Sequence, residues 1–357
     1  MGIFITIIAL SFVIFIHEFG HMMAAIWAGI GVREFAIGMG PKVIGRTIKG
    51  IYFSVRILPV GGFVSLAGID DEEDLHTPED IDFYEKPIPK RLVTIVAGAA
   101  MNILTGVVVF ILVAFFVGVS TLDNSLASVS MNSPAYEAGL REGDKVTALN
   151  QNPVNVVEKD LIGGINNSQG RTISLTVERI VKNDTKTLSF TVTPQKNKEE
   201  NRYTIGIGLK TLTKRFHPIL AVKFGLSESF RYIKMVFVGI GWLISGKVGL
   251  KDMAGPIGIV QFASYSFSQG FVSFLGIMAM ISISLGVINL FPIPVLDGGH
   301  VVMILIEAVR GKRVTKKWET LVNNTGAMVL ITLMVLIVFN DIIHWSDRVL
   351  FLKSLGN

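Results

Sequence analysis

The first thirty residues contain a long apolar run that ionisable side chains interrupt. From Ile3 to about Ile30 the chain is apolar except for His17, Glu18 and His21. A membrane-spanning helix needs about 20 apolar residues. We expect a retained span rather than a cleaved signal peptide, because no basic segment precedes the run and no small-residue cleavage site ends it. Ionisable groups at membrane depth are costly, so their presence indicates a functional interior.

Three later apolar runs follow, from Leu92 to Val119, from about Phe271 to Phe291 and from about Thr325 to Ile343. Half of the 357 residues (50%) are hydrophobic and only 17% are charged. The sequence therefore predicts a multi-pass α-helical membrane protein with about four spans, whose partner is the lipid bilayer. The formal net charge is +5, but Lys and Arg are dispersed without an aromatic-basic stripe. We therefore expect no nucleic-acid partner.

Two regions between the spans have the composition of β-structure. Gly31 to Arg91 is glycine-rich, and its stretch from Gly50 to Gly68 carries β-branched and aromatic residues at strand spacing. It predicts a membrane-associated β-structure. Ser120 to Arg215 is polar, alternates between apolar and polar residues and contains no run of membrane length. It predicts a separate α+β domain of ordinary size.

Within this domain, SPAYEAGLREGDKVTALNQNPV (Ser133 to Val154) resembles the PDZ signature. A PDZ domain binds an extended peptide by adding it to a sheet edge, and can hold a terminal carboxylate in backbone amides. Peptide segments are therefore expected partners of the PDZ-like domain. The alternative is a domain that acts only as a steric plug, a size filter or a spacer.

The segment from Phe216 to Gly270 mixes basic and apolar residues at roughly helical spacing. Its uncharged core is short for a span, so it favours a linker and amphipathic helices on the membrane surface. Residues Met235 to Ser245 leave a fifth span open as an alternative, which their shortness disfavours.

The interrupted first run contains HEFGH, an H-E-x-x-H motif. His17 and His21 are one helical turn apart and therefore lie on one face, where both can bind one zinc ion, while Glu18 is placed as a general base. A catalytic zinc site needs three protein ligands. The chain has no cysteine, so the third ligand is a carboxylate or an imidazole. Asp297 and His300, in NLFPIPVLDGGH at the end of the third run, both qualify.

These motifs together resemble the site-2 protease family of intramembrane zinc metalloproteases, and within it the bacterial RseP type, here with a single PDZ domain. The resemblance covers essentially the whole chain. It implies Zn²⁺ as the cofactor, His17, His21 and Asp297 as its ligands, and Glu18 as the general base. It also places the PDZ-like domain outside the cytoplasm and the β-structure near the active site. His300 then has a supporting or structural role.

Four further residues are candidates for substrate binding. Asn289 is either a helix-packing amide or a donor to the substrate backbone, and Asn102 is a weaker candidate of the same kind. Pro292 and Pro294 break the helix where Asp297 needs freedom to reach the metal, since irregular backbone at membrane depth is tolerated only where it lines protein or a cavity. Both prolines are also explained as simple helix terminators.

The predicted activity is hydrolysis of peptide bonds in or near transmembrane segments of single-span proteins. The resemblance suggests anti-sigma factors or signal-peptide remnants as substrates, and the bacterial plasma (inner) membrane as the location. A non-catalytic PDZ membrane scaffold and a metal transporter are the alternatives. The basic loop after the first span and the basic segment from Arg310 to Lys317 predict that both loops are cytoplasmic.

The predicted organisation runs as follows: first span with HEFGH (1–30), cytoplasmic-side loop with β-strands (31–91), second span (92–119), extracytoplasmic PDZ-like domain (120–195), linker and amphipathic surface helices (196–270), third span ending in LDGGH (271–300), cytoplasmic basic loop (301–324), fourth span (325–345) and C-terminal tail (346–357).

Overall fold

The computed structural model describes residues 2–69, 81–181, 184–197, 202–249 and 254–354. The chain forms two compact units, one made of Met1–Val117 with His217–Asn357 and the other of Gly118–Phe216. The helices are α1 (Gly2–Ala28), α2 (Ile88–Leu112), α3 (Pro134–Glu137), α4 (Gly164–Asn167), α5 (Pro218–Ile244), α6 (Pro256–Ser268), α7 (Phe271–Asn289), α8 (Asp297–Arg310), α9 (Lys316–Ile343) and α10 (Trp345–Ser354). The strands are β1 (Val32–Ile48), β2 (Ile51–Leu66), β3 (Val119–Val129), β4 (Lys145–Leu149), β5 (Asn152–Pro153), β6 (Ile173–Val181), β7 (Asp184–Val192), β8 (Gln195–Asn197), β9 (Arg202–Thr204) and β10 (Ile207–Lys214).

Four helices of the first unit are long and apolar enough to cross a membrane: α1, α2 with its π-helical extension Val113–Val117, α7 and α9. They confirm the four predicted spans. Helix α5 is not among them, although it contains residues 235–244, and it packs along α2 and α7 as one 27-residue helix. The fifth span is therefore not found in the described residues.

Two boundaries differ from the sequence-based expectation. The third apolar helix ends at Asn289, and Asp297 begins a separate helix, α8, because Pro292 and Pro294 interrupt the chain between them. Helix α9 begins at Lys316, nine residues before the expected start at 325. The expected C-terminal tail also contains the helix Trp345–Ser354.

The spans approach one another through residues without large side chains. A Cβ on Gly20 would lie 2.6 Å from the carbonyl oxygen of Ala97, so α1 and α2 are in near backbone contact. A Cβ on Gly286 of α7 would lie 2.6 Å from the carbonyl oxygen of Ala99. Small residues permit this close packing between membrane helices. Helix α2 consequently lies against both α1 and α7 and forms the centre of the unit.

The β-structure between the first two spans is confirmed. Its two strands bend back, so that β1 pairs with more than one segment of β2. The segment Glu34 to Ile37 pairs on one side with residues 62–65, in opposite directions, and on the other side with residues 52–55, in the same direction. Residues 42–48 pair with residues 51–56. β1 and β2 therefore form four side-by-side segments, with residues 42–48 at one edge and residues 62–66 at the other.

The second unit is built on a sheet with strand order β10-β3-β4-β6-β7, and β5 pairs with β4. Its core consists of apolar side chains such as Leu126, Leu161 and Leu175. Asp144 is fully buried and receives two hydrogen bonds from the guanidinium of Arg179, at 2.6 and 2.8 Å. The unit extends to Phe216, beyond the expected end at 195, because β10 completes the sheet beside β3.

Helix α9 is held at its C-terminal end by a buried carboxylate. Asp341 is the only buried residue of this helix. Its two oxygens accept hydrogen bonds from the backbone N–H groups of Gly255 and Gly258, both at 2.9 Å, and it forms an ion pair with Arg348. One side chain thus caps the first turn of α6 and joins α6, α9 and α10.

Replacement of this carboxylate should loosen the membrane unit. Asp341→Leu keeps the branching at Cγ but leaves two N–H groups and a guanidinium without their acceptor, at an expected cost of about 2 to 3 kcal/mol. The free energy of unfolding in detergent measures it. Glu228→Gln, which breaks the exposed Glu228–Arg231 pair on α5, is the control and should cost less than about 1 kcal/mol. Equal losses in the two variants would contradict the interpretation.

Candidate active site

Three potential metal ligands converge inside the membrane unit. His17 and His21 lie one turn apart on the buried face of α1, and Asp297 is the first residue of α8. The His17 Nε2 and His21 Nε2 atoms are 3.1 Å apart. Asp297 Oδ2 lies 3.2 Å from His17 Nε2, and Asp297 Oδ1 lies 3.4 Å from His21 Nε2. These are the only three His, Asp or Glu side chains that form such a group among the described residues.

The donor set fits a zinc ion in chemistry and in size. Zinc takes imidazole nitrogens and carboxylate oxygens at about 2.0 to 2.2 Å in a tetrahedron, which separates neighbouring ligand atoms by about 3.4 Å. The separations are close to this value, with 3.1 Å between the two nitrogens and 3.2 and 3.4 Å from these nitrogens to the two Asp297 oxygens. Asp297 Oδ2 is buried and has no hydrogen-bond donor among the described residues. A cation held between the two histidine nitrogens and the Asp297 carboxylate would satisfy that oxygen.

The conformation of the loop between α7 and α8 places Asp297 next to the two histidines. Val295 has a φ of 77°, a strained conformation for a β-branched residue and one typical of functional sites. A Cβ on Gly298 would lie 2.0 Å from the carbonyl oxygen of Phe291, and one on Gly299 would lie 2.5 Å from that of Ile293. Only glycine at both positions lets the start of α8 fold back onto the loop. The sequence motif LDGG therefore has a steric reason.

One face of α2 supports both histidine rings. Thr94, Gly98 and Asn102 are spaced by four residues and therefore follow one another along that face. His21 Nδ1 lies 2.9 Å from the carbonyl oxygen of Thr94, to which its N–H donates, leaving Nε2 free for the metal.

The other two residues of this face also contact the rings. Asn102 Nδ2 lies 3.3 Å from His17 Nδ1. Gly98 faces the His21 ring, and a Cβ there would lie 2.2 Å from Nε2. Sequence reasoning missed Thr94 and Gly98. The four-residue spacing that runs from Thr94 through Gly98 to Asn102 is the sequence signal that could have identified them.

The other residues predicted from the sequence lie outside the donor group. Asn289 Nδ2 lies 3.3 Å from His17 Nε2, at the ligand-bearing edge of that ring. Asn102 is fully buried beside the His17 ring, and its role in substrate binding stays a prediction. Pro292 and Pro294 lie in the loop that precedes Asp297. His300 is outside the donor group and lines a polar cavity of about 490 Å³ with Arg33, Tyr84, Arg313 and Glu319.

Glu18 occupies the turn between the two histidines and faces the β-structure. Its Cγ lies 3.7 Å from the Cβ position of Gly62, and its carboxylate lies near the backbone of Val64. The edge segment 62–66 therefore runs directly beside the carboxylate next to the donor group.

Helix α8 is fixed at its C-terminal end by a partly buried ion pair. The Arg91 guanidinium donates to both oxygens of Glu307, at 2.9 and 2.5 Å. These hydrogen bonds hold the pKa of the Glu307 carboxyl below its ordinary value, although burial opposes the shift. Because Arg91 belongs to α2, the helix that orients the two histidines also anchors the helix that carries Asp297.

Residues 5–333 match the model of Peptidase family M50. The chain belongs to this peptidase family. The peptidase is 34% identical over 343 residues to a candidate zinc metalloprotease of Clostridium acetobutylicum, covering 96% of this chain and 98% of that protein. It is 28% identical over 414 residues to the regulator of sigma-W protease RasP of Bacillus subtilis, covering 94% and 97%. The predicted site-2 protease resemblance is confirmed, and the peptidase is a multi-pass membrane zinc metalloprotease with Zn²⁺ as its cofactor.

Gly98 provides a test of the support that α2 gives the site. Gly98→Ala puts a methyl group where the His21 ring lies, so we expect at least about a tenfold loss of zinc affinity. Zinc content after dialysis against a graded chelator measures it. The control is Gly276→Ala on α7, where the added Cβ meets only open space. Wild-type zinc affinity in Gly98→Ala would show that the rings do not depend on this contact.

Proposed function

We propose that this peptidase hydrolyses peptide bonds in or near the transmembrane segments of single-span membrane proteins. The observation that carries the proposal is the donor group of His17, His21 and Asp297 beside Glu18, with both histidines and the glutamate on a helix of membrane-spanning length. A non-catalytic PDZ scaffold would not need a complete set of metal-binding side chains. A metal transporter would be expected to contain an internal repeat, which is common among transporters, and the sequence shows no such repeat.

In the proposed mechanism, Glu18 is the general base and His17, His21 and Asp297 hold the metal. Zn²⁺, when bound there, supplies a Lewis acid that acidifies water and polarises the scissile carbonyl group. Glu18 accepts a proton from the attacking water and returns it to the leaving amine. Asn289, whose amide lies beside the His17 ring, is placed to donate a hydrogen bond to the substrate backbone.

We further propose that the edge segment 62–66 holds the substrate. A transmembrane helix hides its carbonyl groups in its own hydrogen bonds, so the substrate must unwind before it can react. An extended segment gains new backbone partners by adding to a sheet edge. The 3.7 Å approach of the Glu18 Cγ to the Cβ position of Gly62 supports this role, because it places the edge next to the proposed base.

The natural substrates and the orientation are part of the same proposal. The relative RasP is named a regulator of sigma-W, which favours anti-sigma factors as substrates, with signal-peptide remnants as the second class. The basic segment from Arg310 to Lys317 favours a cytoplasmic loop before α9. The enzyme would then lie in the bacterial inner membrane with Gly118–Phe216 outside the cytoplasm.

Two substitutions separate catalysis from metal binding. Glu18→Gln removes the base but no ligand, so it should retain zinc and lose about 100-fold to 10,000-fold in rate. Asp297→Ala leaves two protein ligands and should lose zinc together with activity. Zinc content and cleavage of one helical substrate are measured on both purified variants. An active Glu18→Gln enzyme would overturn the mechanism, and an Asp297→Ala protein with full zinc content would remove Asp297 from the ligand set.

We also propose that Gly118–Phe216 is the single PDZ-like domain and binds peptides. Strand β10 is at the edge of its sheet. A groove of about 520 Å³ lies between the segment Ile205 to Leu209 and the side chains of Ile162 and Ile165. An edge strand facing an apolar wall suits an extended peptide with an apolar side chain.

A charge in the groove wall should weaken peptide binding. Ile162→Glu is expected to lower the affinity for a peptide with a free, hydrophobic C-terminus at least about tenfold, because the buried carboxylate lacks a partner. Fluorescence anisotropy with the full-length protein in detergent measures it. Ile180→Glu, at a β6 position that is 76% exposed and outside the groove, is the control. Equal affinities in the two variants would leave the spacer role.

A further inference from the structure

Asn102 has a position that the proposed chemistry does not yet use. It is fully buried in α2, and its amide lies against the imidazole of His17, at 3.3 Å from Nδ1. As placed, the amide nitrogen faces the ring, and the amide oxygen has no hydrogen-bond donor among the described residues. A buried amide with an unsatisfied oxygen is a costly arrangement that calls for a partner.

The chemistry of the ring decides which amide atom must face it. A neutral imidazole carries one N–H and one lone pair. The Nε2 atom of His17 points into the donor group with Asp297 and His21, so its lone pair is used there. The proton is therefore on Nδ1, and an amide NH₂ opposite it would set two donors against each other.

A half-turn of the amide removes this conflict. The oxygen and nitrogen of an asparagine amide exchange places on rotation by 180° and are assigned from their partners. With the oxygen towards the ring, Nδ1–H of His17 donates to Oδ1 of Asn102. In the orientation as placed, the amide oxygen on the other side has no donor among the described residues. The ring contact decides between the two orientations.

We propose that Asn102 is a positioning residue that fixes the tautomer and the ring plane of His17. It does for His17 what the Thr94 carbonyl does for His21, so both ligands are oriented from one face of α2. The inference rests on the proposed role of His17 as a metal ligand. Partners of this kind set the ring orientation and the basicity of a ligating histidine, and their loss typically costs about tenfold to a hundredfold in metal affinity.

The test measures metal binding without substrate. Cobalt(II) is titrated into the full-length, metal-free protein in detergent, and its visible absorption reports affinity and ligand geometry. Asn102→Leu should bind cobalt about tenfold to a hundredfold more weakly with an altered spectrum. Asn102→Asp, whose carboxylate also accepts from Nδ1–H, should retain affinity and spectrum. Ser282→Ala is the control, because Ser282 donates to the backbone oxygen of Asn102 at 2.8 Å and touches neither ring nitrogen.

The outcomes separate this inference from the proposed function. Wild-type cobalt affinity in Asn102→Leu, or a loss in Asn102→Asp as large as in Asn102→Leu, overturns the positioning role. A loss of similar size in Ser282→Ala overturns it too, since helix packing would then explain the effect. If Asn102→Leu does not fold, a tenfold loss in Asn102→Asp is the overturning result. A protein that shows the expected cobalt series but cleaves no helical substrate refutes the protease mechanism alone.

Discussion

The close approach of α2 to α1 is the constraint on which the site depends. A buried polar group that loses its hydrogen-bond partner carries the full cost of its desolvation, so each buried ring nitrogen needs a fixed partner. Gly20 lets the backbones of α1 and α2 meet, and Gly98 leaves the space that the His21 ring fills. Thr94 and Asn102 then reach the outer nitrogens of the two rings. A bulkier residue at either glycine would separate the partners.

Asp297, the proposed third ligand, is brought to the site by a different means. His17 and His21 gain their spacing from an uninterrupted helix, whereas Asp297 needs a chain break that returns at once to helix. Pro292 and Pro294 interrupt the backbone, Val295 takes a strained conformation, and the two glycines after Asp297 allow α8 to pack against the loop. The Arg91–Glu307 pair then ties α8 to α2. The three proposed ligands are thus all positioned by contacts with one central helix, α2.

Much of this arrangement was predictable because it depends on local periodicity. The four spans follow from apolar length, and the pairing of His17 with His21 follows from helical spacing. The choice between Asp297 and His300 was open from the residues alone, since they are three positions apart on one helix. Geometry separates them, because Asp297 meets the histidines and His300 lines another cavity. The burial of Asn102 and the role of Gly98 depend on contacts between α1 and α2, which a single sequence does not encode locally.

The shared helix makes the site sensitive to helix register. A shift of α2 by one residue would translate its face by about 1.5 Å and rotate it by about 100°. Either movement would remove the Thr94 carbonyl from His21 and the Asn102 amide from His17. It would also displace Arg91 from Glu307 and thereby loosen α8. Contacts on both sides of α2 oppose such a shift, since Gly20 and Gly286 each bring a neighbouring helix against its backbone. The small residues at these interfaces therefore maintain the geometry of the donor group as well as the packing of the helices.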